Sequence, residues 1–269
     1  IVVSDGSQEE KPMKFDTDGW YLTRGCWGKL QAILIAPRKA PPRTVVTLCH
    51  GFGAPGTDLV PLAEEIVPHL SDDTLAPAFL FPQGPIDLGE IYGMDGANAW
   101  WELNMARLAQ LAATNDFNAL RNEVPPGIDE ARETLENCIA ECVENQGWDA
   151  PKMIFGGFSQ GSMLSVDLAL RSRIHRCDGL ILWSGALICE SLWQQSYALR
   201  GDQDSPTSIP CFQTHGREDT ILPIGTGRAL NEFLQNLGFE NNYHEFQGPH
   251  TIPAIGITGA AKLIESVSR

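Results

Sequence analysis

The chain has 269 residues, of which 43% are apolar, and its 19 basic and 34 acidic residues give a formal net charge of −15. This length suits one large α/β domain, and the apolar content is sufficient for a large buried core. The negative charge disfavours a polyanionic nucleic acid or an anionic membrane surface as a partner. No apolar run is long enough to span a bilayer, so we expect no stable membrane insertion.

The seven cysteines are odd in number and scattered, which indicates reduced, partly buried thiols rather than a disulfide framework. Cys138 and Cys142 are four residues apart on a predicted helix and could share a metal ion, but no neighbouring His or Cys pair completes a zinc pattern. We therefore expect no metal site. We expect a cytoplasmic location. The chain opens at Ile1 without an initiating Met, so a removed signal peptide stays an open alternative.

Predicted elements in the first part of the chain follow a loose, polar terminus at residues 1–12. The strand at residues 44–49 is almost continuously apolar, as expected for a strand covered on both faces, and a glycine-rich loop at residues 50–56 follows it. The other predicted elements here are a strand at residues 30–35, an amphipathic helix at 58–70 and a strand at 77–81.

The segment at about residues 87–127 is irregular and contains Trp100, Trp101 and a predicted helical stretch around residues 105–124. Two interpretations of this segment stay open. Its apolar side chains form a lid over a pocket, or they belong to a helix packed on the body of the domain. We expect residues 1–269 to form a single domain that carries this irregular or lid-like insertion.

Strands and helices alternate through the rest of the chain. The predicted strands are residues 152–156, 179–183, 209–214 and 243–246, and the predicted helices are residues 128–146, 160–171, 226–237 and 252–267. This order favours an α/β fold with a mostly parallel sheet and helices on both faces. Loops that follow the strands should then lie along one edge of the sheet, where sites in such folds are found.

The sequence Gly157-Phe158-Ser159-Gln160-Gly161 has the pattern Gly-x-Ser-x-Gly between a predicted strand and a predicted helix. A Cβ two positions before or after the serine would collide with the neighbouring strand or helix, so the turn requires glycine. Such a turn points the Ser159 hydroxyl out of the sheet, near a helix N-terminus. Ser159 is therefore the candidate nucleophile; the alternative is a serine that only caps the helix.

A serine hydroxyl needs a base, usually a histidine oriented by a carboxylate, and the chain order in this type of fold is Ser, acid, His. His250 follows the last predicted strand and is preferred to His215, which follows the preceding strand, and to His244, which lies inside a strand. Asp219 is the preferred acid, because its loop can approach His250. Glu218 is the alternative acid, and either carboxylate could instead cap the next helix.

Two backbone N–H groups are expected to stabilise the oxyanion of an acyl-transfer reaction. The residue after the nucleophile, Gln160, supplies one candidate. The loop His50-Gly51-Phe52-Gly53 supplies the other, with Phe52 N–H as the expected donor. We interpret His50 as a buried, hydrogen-bonded residue that braces this loop without a catalytic role.

Four motifs in order resemble the phospholipase/carboxylesterase branch of the α/β-hydrolases, which includes the acyl-protein thioesterases. They are His50-Gly51-Phe52-Gly53 with Asp58, Pro82-Gln83-Gly84-Pro85, Gly157-Phe158-Ser159-Gln160-Gly161-Ser162, and His215-Gly216-Arg217-Glu218-Asp219 with Pro223. The resemblance spans roughly residue 30 to the C-terminus, and His250 stands where that family carries its base.

This resemblance implies a three-layer α/β/α fold, no cofactor, and hydrolysis of small-molecule carboxylic esters or thioesters by Ser159, Asp219 and His250. It also assigns the oxyanion roles to Phe52 and Gln160. Two features depart from the family pattern: the sequence Gly248-Pro249-His250 lacks the usual Gly-His pair, and the segment at residues 87–126 is longer than in compact members.

The hypothesis that follows is a serine hydrolase that forms an acyl-enzyme intermediate. Two alternatives use the same fold. One is a non-enzymatic binding protein, because a fold does not guarantee activity. The other is a peptidase or C–C hydrolase, because the three catalytic residue types are shared and only the pocket differs.

Overall fold

The computed structural model describes residues 19–71, 76–104, 107, 110, 111, 117–199 and 208–269. Its strands are β1 (Trp20–Trp27), β2 (Leu30–Pro37), β3 (Thr44–Cys49), β4 (Ala78–Pro82), β5 (Ile86–Asp87), β6 (Asn98–Ala99), β7 (Lys152–Phe158), β8 (Gly179–Trp183), β9 (Ile209–Gly216) and β10 (Phe239–Phe246). Its α-helices are α1 (Pro61–Ile66), α2 (Leu88–Tyr92), α3 (Ile128–Gln146), α4 (Gln160–Arg171), α5 (Glu190–Ala198), α6 (Ile224–Asn236) and α7 (Ala254–Ser268). Among the described residues, Val67–His69 and Phe117–Asn122 form 3₁₀-helices.

Eight strands form one sheet in the order β1-β2-β4-β3-β7-β8-β9-β10. The six strands β4, β3, β7, β8, β9 and β10 are parallel to one another. Strand β2 is antiparallel to both of its neighbours, β1 and β4. The predicted mostly parallel sheet is therefore confirmed. Strands β5 and β6 form a separate two-stranded antiparallel sheet beside it.

Helices cover the sheet on both faces because apolar side chains project from both faces of the central strands. All six residues of β3 are buried, which explains its nearly continuous apolar sequence. One core cluster joins the sheet to α3, α4, α5 and α6, and a second joins it to α1 and α7. The layers are thus helix, sheet and helix, as the family resemblance implied.

Several predicted elements change in extent. The helix predicted at residues 58–70 is shorter, because α1 begins at Pro61 and gives way to a 3₁₀-helix after Ile66. Strand β9 extends to Gly216, so the prediction that His215 follows this strand was wrong. Residues 1–12 lie outside the described residues, as do many of residues 105–116. Among the described residues, no helix combines the length and apolar character that crossing a bilayer requires.

Candidate active site

Ser159 lies at the sharp turn between β7 and α4. Its backbone angles are φ 55° and ψ −114°, a combination that a residue with a side chain adopts only when its surroundings impose it. Its N–H donates to the Trp183 carbonyl of the neighbouring strand at 2.9 Å. The turn is therefore strained, and its hydrogen bond to β8 holds it in place.

The two glycines that flank Ser159 leave room for the neighbouring strand. A Cβ built at Gly157 would lie 2.4 Å from the Cys49 carbonyl oxygen, and one built at Gly161 would lie 2.0 Å from the same atom. Both distances are far below a normal van der Waals contact. The predicted steric reason for glycine at these positions is confirmed.

The loop after β3 passes directly beside the serine. A Cβ built at Gly51 would lie 3.4 Å from the Ser159 Cβ. In this loop, Gly53 N–H donates to the Asn98 carbonyl at 2.9 Å, whereas the described residues offer no hydrogen-bond acceptor to Phe52 N–H. Gln160 is the first residue of α4, where helix N–H groups have no partner within the helix. The N–H groups of Phe52 and Gln160 thus lie near Ser159, and neither has an acceptor in its own loop or helix.

His50 is buried, and both of its ring nitrogens are hydrogen-bonded. Gly84 N–H donates to Nε2 at 2.9 Å, so Nδ1 carries the proton and donates to the Gly51 carbonyl at 2.8 Å. Burial lowers the pKa of His50 to about 4, against a smaller opposing effect of the bond to Gly51. The prediction that His50 braces its loop is confirmed by these bonds.

Asp219 and His250 are brought together from the loops that follow β9 and β10. The distance between His250 Nδ1 and Asp219 Oδ2 is 2.6 Å. The backbone clamps the two loops, since Glu218 N–H donates to the Gly248 carbonyl at 3.0 Å. The His250 ring also packs on Phe158, the residue before Ser159, with 4.7 Å between the ring centroids.

The Asp219 carboxylate is buried and surrounded by donors. Burial alone would raise its pKa, but the approach of His215 Nε2 to Oδ2 at 3.4 Å, together with hydrogen bonds from His250 and the Leu222 N–H, holds the pKa of Asp219 well below its ordinary range. The carboxylate is therefore ionised at neutral pH and can only accept. Its bond to His250 requires the proton on Nδ1, which leaves Nε2 of the imidazole with a free lone pair.

A cavity of about 940 Å³ opens at Ser159. Phe52 and Gln160 also line it, together with Ile221 and Leu222 from the Asp219 loop. Most of its lining is apolar, with one ion pair between Arg107 Nε and Glu123 Oε1 at 2.7 Å. The remaining lining residues are Ile86, Trp101, Glu102, Leu103, Asn104, Leu120, Val124, Pro125, Pro126, Gly127, Met163 and Ile188.

The sequence matches the family model described as phospholipase/carboxylesterase over residues 30–268. The chain belongs to the phospholipase/carboxylesterase family. Acyl-protein thioesterase 1 from Eremothecium gossypii is 29% identical over 212 residues, which cover 78% of this chain and 81% of that protein. Acyl-protein thioesterase 1 from Debaryomyces hansenii is 27% identical over 248 residues, covering 88% and 97% of the two chains.

Solved structures of similar proteins confirm the fold of this family member. The Zea mays acyl-protein thioesterase 2 superposes with a TM-score of 0.63 at 18% identity, covering 88% of this chain and 99% of that one. The Bacillus cereus carboxylesterase superposes with a TM-score of 0.61 at 15% identity, covering 88% and 94%. At such identities the likeness concerns the three-layer arrangement alone.

The alternative site residues of this family member occupy other positions. His244 lies inside β10, and its ring packs on Phe212 with centroids 5.5 Å apart. His215 is fully buried in β9, and its Nε2–H donates to the Leu222 carbonyl at 2.6 Å. Glu218 is exposed and hydrogen-bonded to Gln247. His215 Nε2 also lies 3.4 Å from Asp219 Oδ2, but its N–H bonds to the Leu222 carbonyl, whereas the His250 ring packs on the residue that precedes Ser159.

The irregular segment supplies much of the cavity wall. Trp101 and Leu120 line the cavity, while Trp100 is buried in the main core cluster. The lid and the packed helix both stay predictions for this segment. The single-domain organisation also stays a prediction. No pattern in the sequence indicates that residues around Trp100 contact the strand-to-helix turn.

The seven cysteines are free thiols, as predicted, and all but Cys26 are buried. Burial raises the pKa of Cys142 to about 12 and also raises that of Cys138. Within the described parts of the chain, no group of three or more His, Cys, Asp or Glu side chains could hold a metal ion.

Proposed function

We propose that the protein hydrolyses carboxylic esters or thioesters, with Ser159 as nucleophile, His250 as general base and Asp219 as its orienting acid. The observation that carries this proposal is the 2.6 Å contact between His250 and Asp219, with the His250 ring packed on Phe158, the residue before Ser159. It occurs in a chain of the phospholipase/carboxylesterase family, and the strained serine turn opens on a cavity. These features together favour acyl transfer over a purely structural role.

In the proposed first step, His250 Nε2 removes the hydroxyl proton as Ser159 Oγ attacks the substrate carbonyl carbon. The ionised Asp219 stabilises the imidazolium that forms. Negative charge then develops on the carbonyl oxygen, where the Phe52 and Gln160 N–H groups can donate to it. As the tetrahedral intermediate collapses, the imidazolium returns its proton to the leaving alcohol or thiol.

The second step reverses these roles with water as the nucleophile. His250 removes a proton from water, which attacks the acyl-enzyme carbonyl, and the same two amides hold the oxyanion. Collapse releases the carboxylic acid and returns the proton to Ser159 Oγ.

The cavity favours an apolar acyl group. Its walls are built mainly from aromatic, aliphatic and proline side chains, and its volume of about 940 Å³ lies near the upper end for small-molecule sites. The curated relatives are named acyl-protein thioesterases, so we include acyl thioesters beside oxygen esters as substrates. We propose that the acyl chain occupies this cavity while the leaving group faces its mouth.

The proposal is tested by labelling and hydrolysis. Wild-type protein should react with a fluorophosphonate probe at Ser159 and should hydrolyse p-nitrophenyl esters and acyl thioesters. Ser159→Ala should lose both the label and the hydrolysis while keeping the fold, measured by circular dichroism. Ser162→Ala is the matched control, because Ser162 lies in the same helix and is fully buried.

Two outcomes contradict the proposal. Near-native ester hydrolysis by Ser159→Ala would exclude Ser159 as the nucleophile. A wild-type protein inert to the probe and to all acyl substrates would favour the non-enzymatic alternative. A panel that includes peptide and β-diketone substrates separates an esterase from a peptidase or C–C hydrolase.

A further inference from the structure

One buried residue contacts both segments that carry the proposed oxyanion amides. Trp100 is 1% exposed, and its indole Nε1–H donates at 2.9 Å to the carbonyl of His50, two residues before Phe52. Its backbone N–H donates at 3.0 Å to the side-chain Oε1 of Gln160. We infer that Trp100 is a positioning residue that holds the Phe52 and Gln160 amides in place, an inference that rests on the proposed function.

Toward Phe52, Trp100 acts through His50. The two rings pack with centroids 5.3 Å apart, and the indole N–H holds the His50 carbonyl. The His50 ring in turn donates to the Gly51 carbonyl at 2.8 Å. Because a peptide group is planar, holding the Gly51 carbonyl fixes the direction of the Phe52 N–H in the same plane. The peptide group that contains the Phe52 N–H and the peptide group before it are thus each held by a buried donor.

Toward the second amide, Trp100 acts on the side chain of Gln160. That side chain is buried, with its Oε1 bonded to Trp100 N–H and its Nε2 donating to the Trp101 carbonyl at 2.9 Å. Gln160 is therefore anchored at both ends of its side-chain amide to the Trp100–Trp101 backbone. A buried polar group left without a partner is costly, so these bonds resist displacement.

The arrangement links segments that are distant in sequence. Trp100 lies 50 residues after His50 and 60 residues before Gln160. The strained turn fixes Gln160 relative to Ser159, but it does not fix the Phe52 loop relative to Gln160. Trp100 supplies that connection, and oxyanion stabilisation depends on donors that are already in position before charge develops.

The test substitutes Trp100→Phe, which keeps an aromatic ring and removes the indole donor. We expect kcat for a p-nitrophenyl ester to fall about 10-fold with KM changed less than twofold, since a misaligned donor costs less than a deleted one. An alkyl boronic acid, which forms a tetrahedral adduct with a reactive serine, should bind about 10-fold more weakly. Gln160→Met, which removes the second anchor and keeps the backbone N–H, should show the same split between kcat and KM.

Trp193→Phe is the matched control. Trp193 is also fully buried, and its Nε1–H donates to Asp167 Oδ1 at 2.7 Å, so this variant loses a comparable bond away from the serine turn. It should lose stability but keep kcat and boronate affinity. Equal kinetic effects in both tryptophan variants, or unchanged kinetics in Trp100→Phe and Gln160→Met, would overturn the positioning role. An inactive wild-type protein would instead overturn the proposed function.

Discussion

Asp219 presents its two carboxylate oxygens to different partners. Oδ2 accepts from His250 Nδ1 at 2.6 Å, whereas Oδ1 accepts from the backbone N–H groups of Ile221 and Leu222 at 2.9 and 2.8 Å. The two backbone bonds hold the carboxylate in one rotational orientation, with Oδ2 facing the imidazole. The loop that supplies these two amides also lines the cavity, so the orientation of His250 and the shape of the cavity depend on the same short segment.

This geometry predicts the result of Asp219→Asn. The two backbone N–H groups will retain the amide oxygen, so the amide NH₂ will face His250 Nδ1. The imidazole then carries its proton on Nε2 and cannot accept the Ser159 proton. We expect kcat/KM for ester hydrolysis to fall by about 10⁴, which is the size of the rate loss that the corresponding Asp→Asn change causes in a serine protease.

The control for this experiment is Glu218→Gln, which changes the neighbouring acid that the sequence left as an alternative. Glu218 is exposed and bonds to Gln247, so kcat/KM should stay within twofold of wild type, a difference of about 0.4 kcal/mol. A large loss in Glu218→Gln with little loss in Asp219→Asn would reverse the assignment of the acid.

A second prediction concerns Gly161, which lies two residues after the proposed nucleophile Ser159. In Gly161→Ala, the new Cβ would lie 2.0 Å from the Cys49 carbonyl oxygen and 2.6 Å from that of His50, so backbone must move. Because β3, the Phe52 loop and Ser159 meet here, we expect kcat/KM to fall by about 100-fold or more. Gly225→Ala in α6 is the control, since its Cβ meets no atom within 4 Å and activity should be retained. Full activity in Gly161→Ala would contradict the close packing of this turn.

A third prediction follows from the burial of His50, which lowers its pKa from the ordinary 6.5 to about 4. Below pH 6.5 the unfolded chain binds a proton on His50, and the folded chain binds it only near pH 4. The free energy of unfolding therefore falls as the pH falls through this window, by about 3 kcal/mol in full. His50→Gln lacks this contribution, although it also changes the bonds to Gly51 and Gly84.

The measurement is urea unfolding of both proteins at pH 7 and pH 5. The other titrating groups contribute to both proteins, so the comparison isolates the effect of one imidazole. The variant should lose about 2 kcal/mol less than wild type between the two pH values, whatever its stability at pH 7. Parallel losses in the two proteins would show that His50 takes up its proton equally in the folded and unfolded states.

Much of the fold follows from local sequence patterns, and the exceptions have physical reasons. Strands β3 and β7 were predictable because both are covered by helices and are therefore almost uniformly apolar. Strand β1 was missed because it is an edge strand whose residues are mostly half-buried. Helix α5 was missed because only Trp193 of its nine residues is buried, which leaves little apolar periodicity to detect.

The candidate site divides in the same way. The position of Ser159 at a strand-to-helix turn was predictable because its pattern is contiguous, and that of His250 because its loop follows the last strand. The contacts of Trp100 could not be predicted, because its partners are 50 and 60 residues away and its neighbours show no regular period. The same is true of Asp167, whose polar side chain occupies a helix position that the sequence alone does not distinguish from a solvent-facing one.

Asp167 carries the last prediction, because its side chain is fully buried among three donors. Its oxygens lie 3.0 Å from Arg171 Nη1, 3.4 Å from Arg132 Nε and 2.7 Å from Trp193 Nε1. Burial raises the pKa of Asp167, while Arg171, Trp193 and Arg132 oppose that effect. Asp167→Ala would leave two mostly buried guanidinium groups without this partner, so we expect the free energy of unfolding to fall by about 3–5 kcal/mol.

The control is Glu133→Ala, which removes an exposed partner of the same Arg132 and should change stability by less than about 0.5 kcal/mol. Ester hydrolysis per folded molecule should be unchanged in both variants, because Asp167 lies eight residues along α4 from Ser159, about 12 Å by helical rise. Equal stabilities for the two variants in urea unfolding would mean that water reaches the arginines once Asp167 is removed. In that case the cluster would contribute no more than a surface ion pair to the packing of α3, α4 and α5.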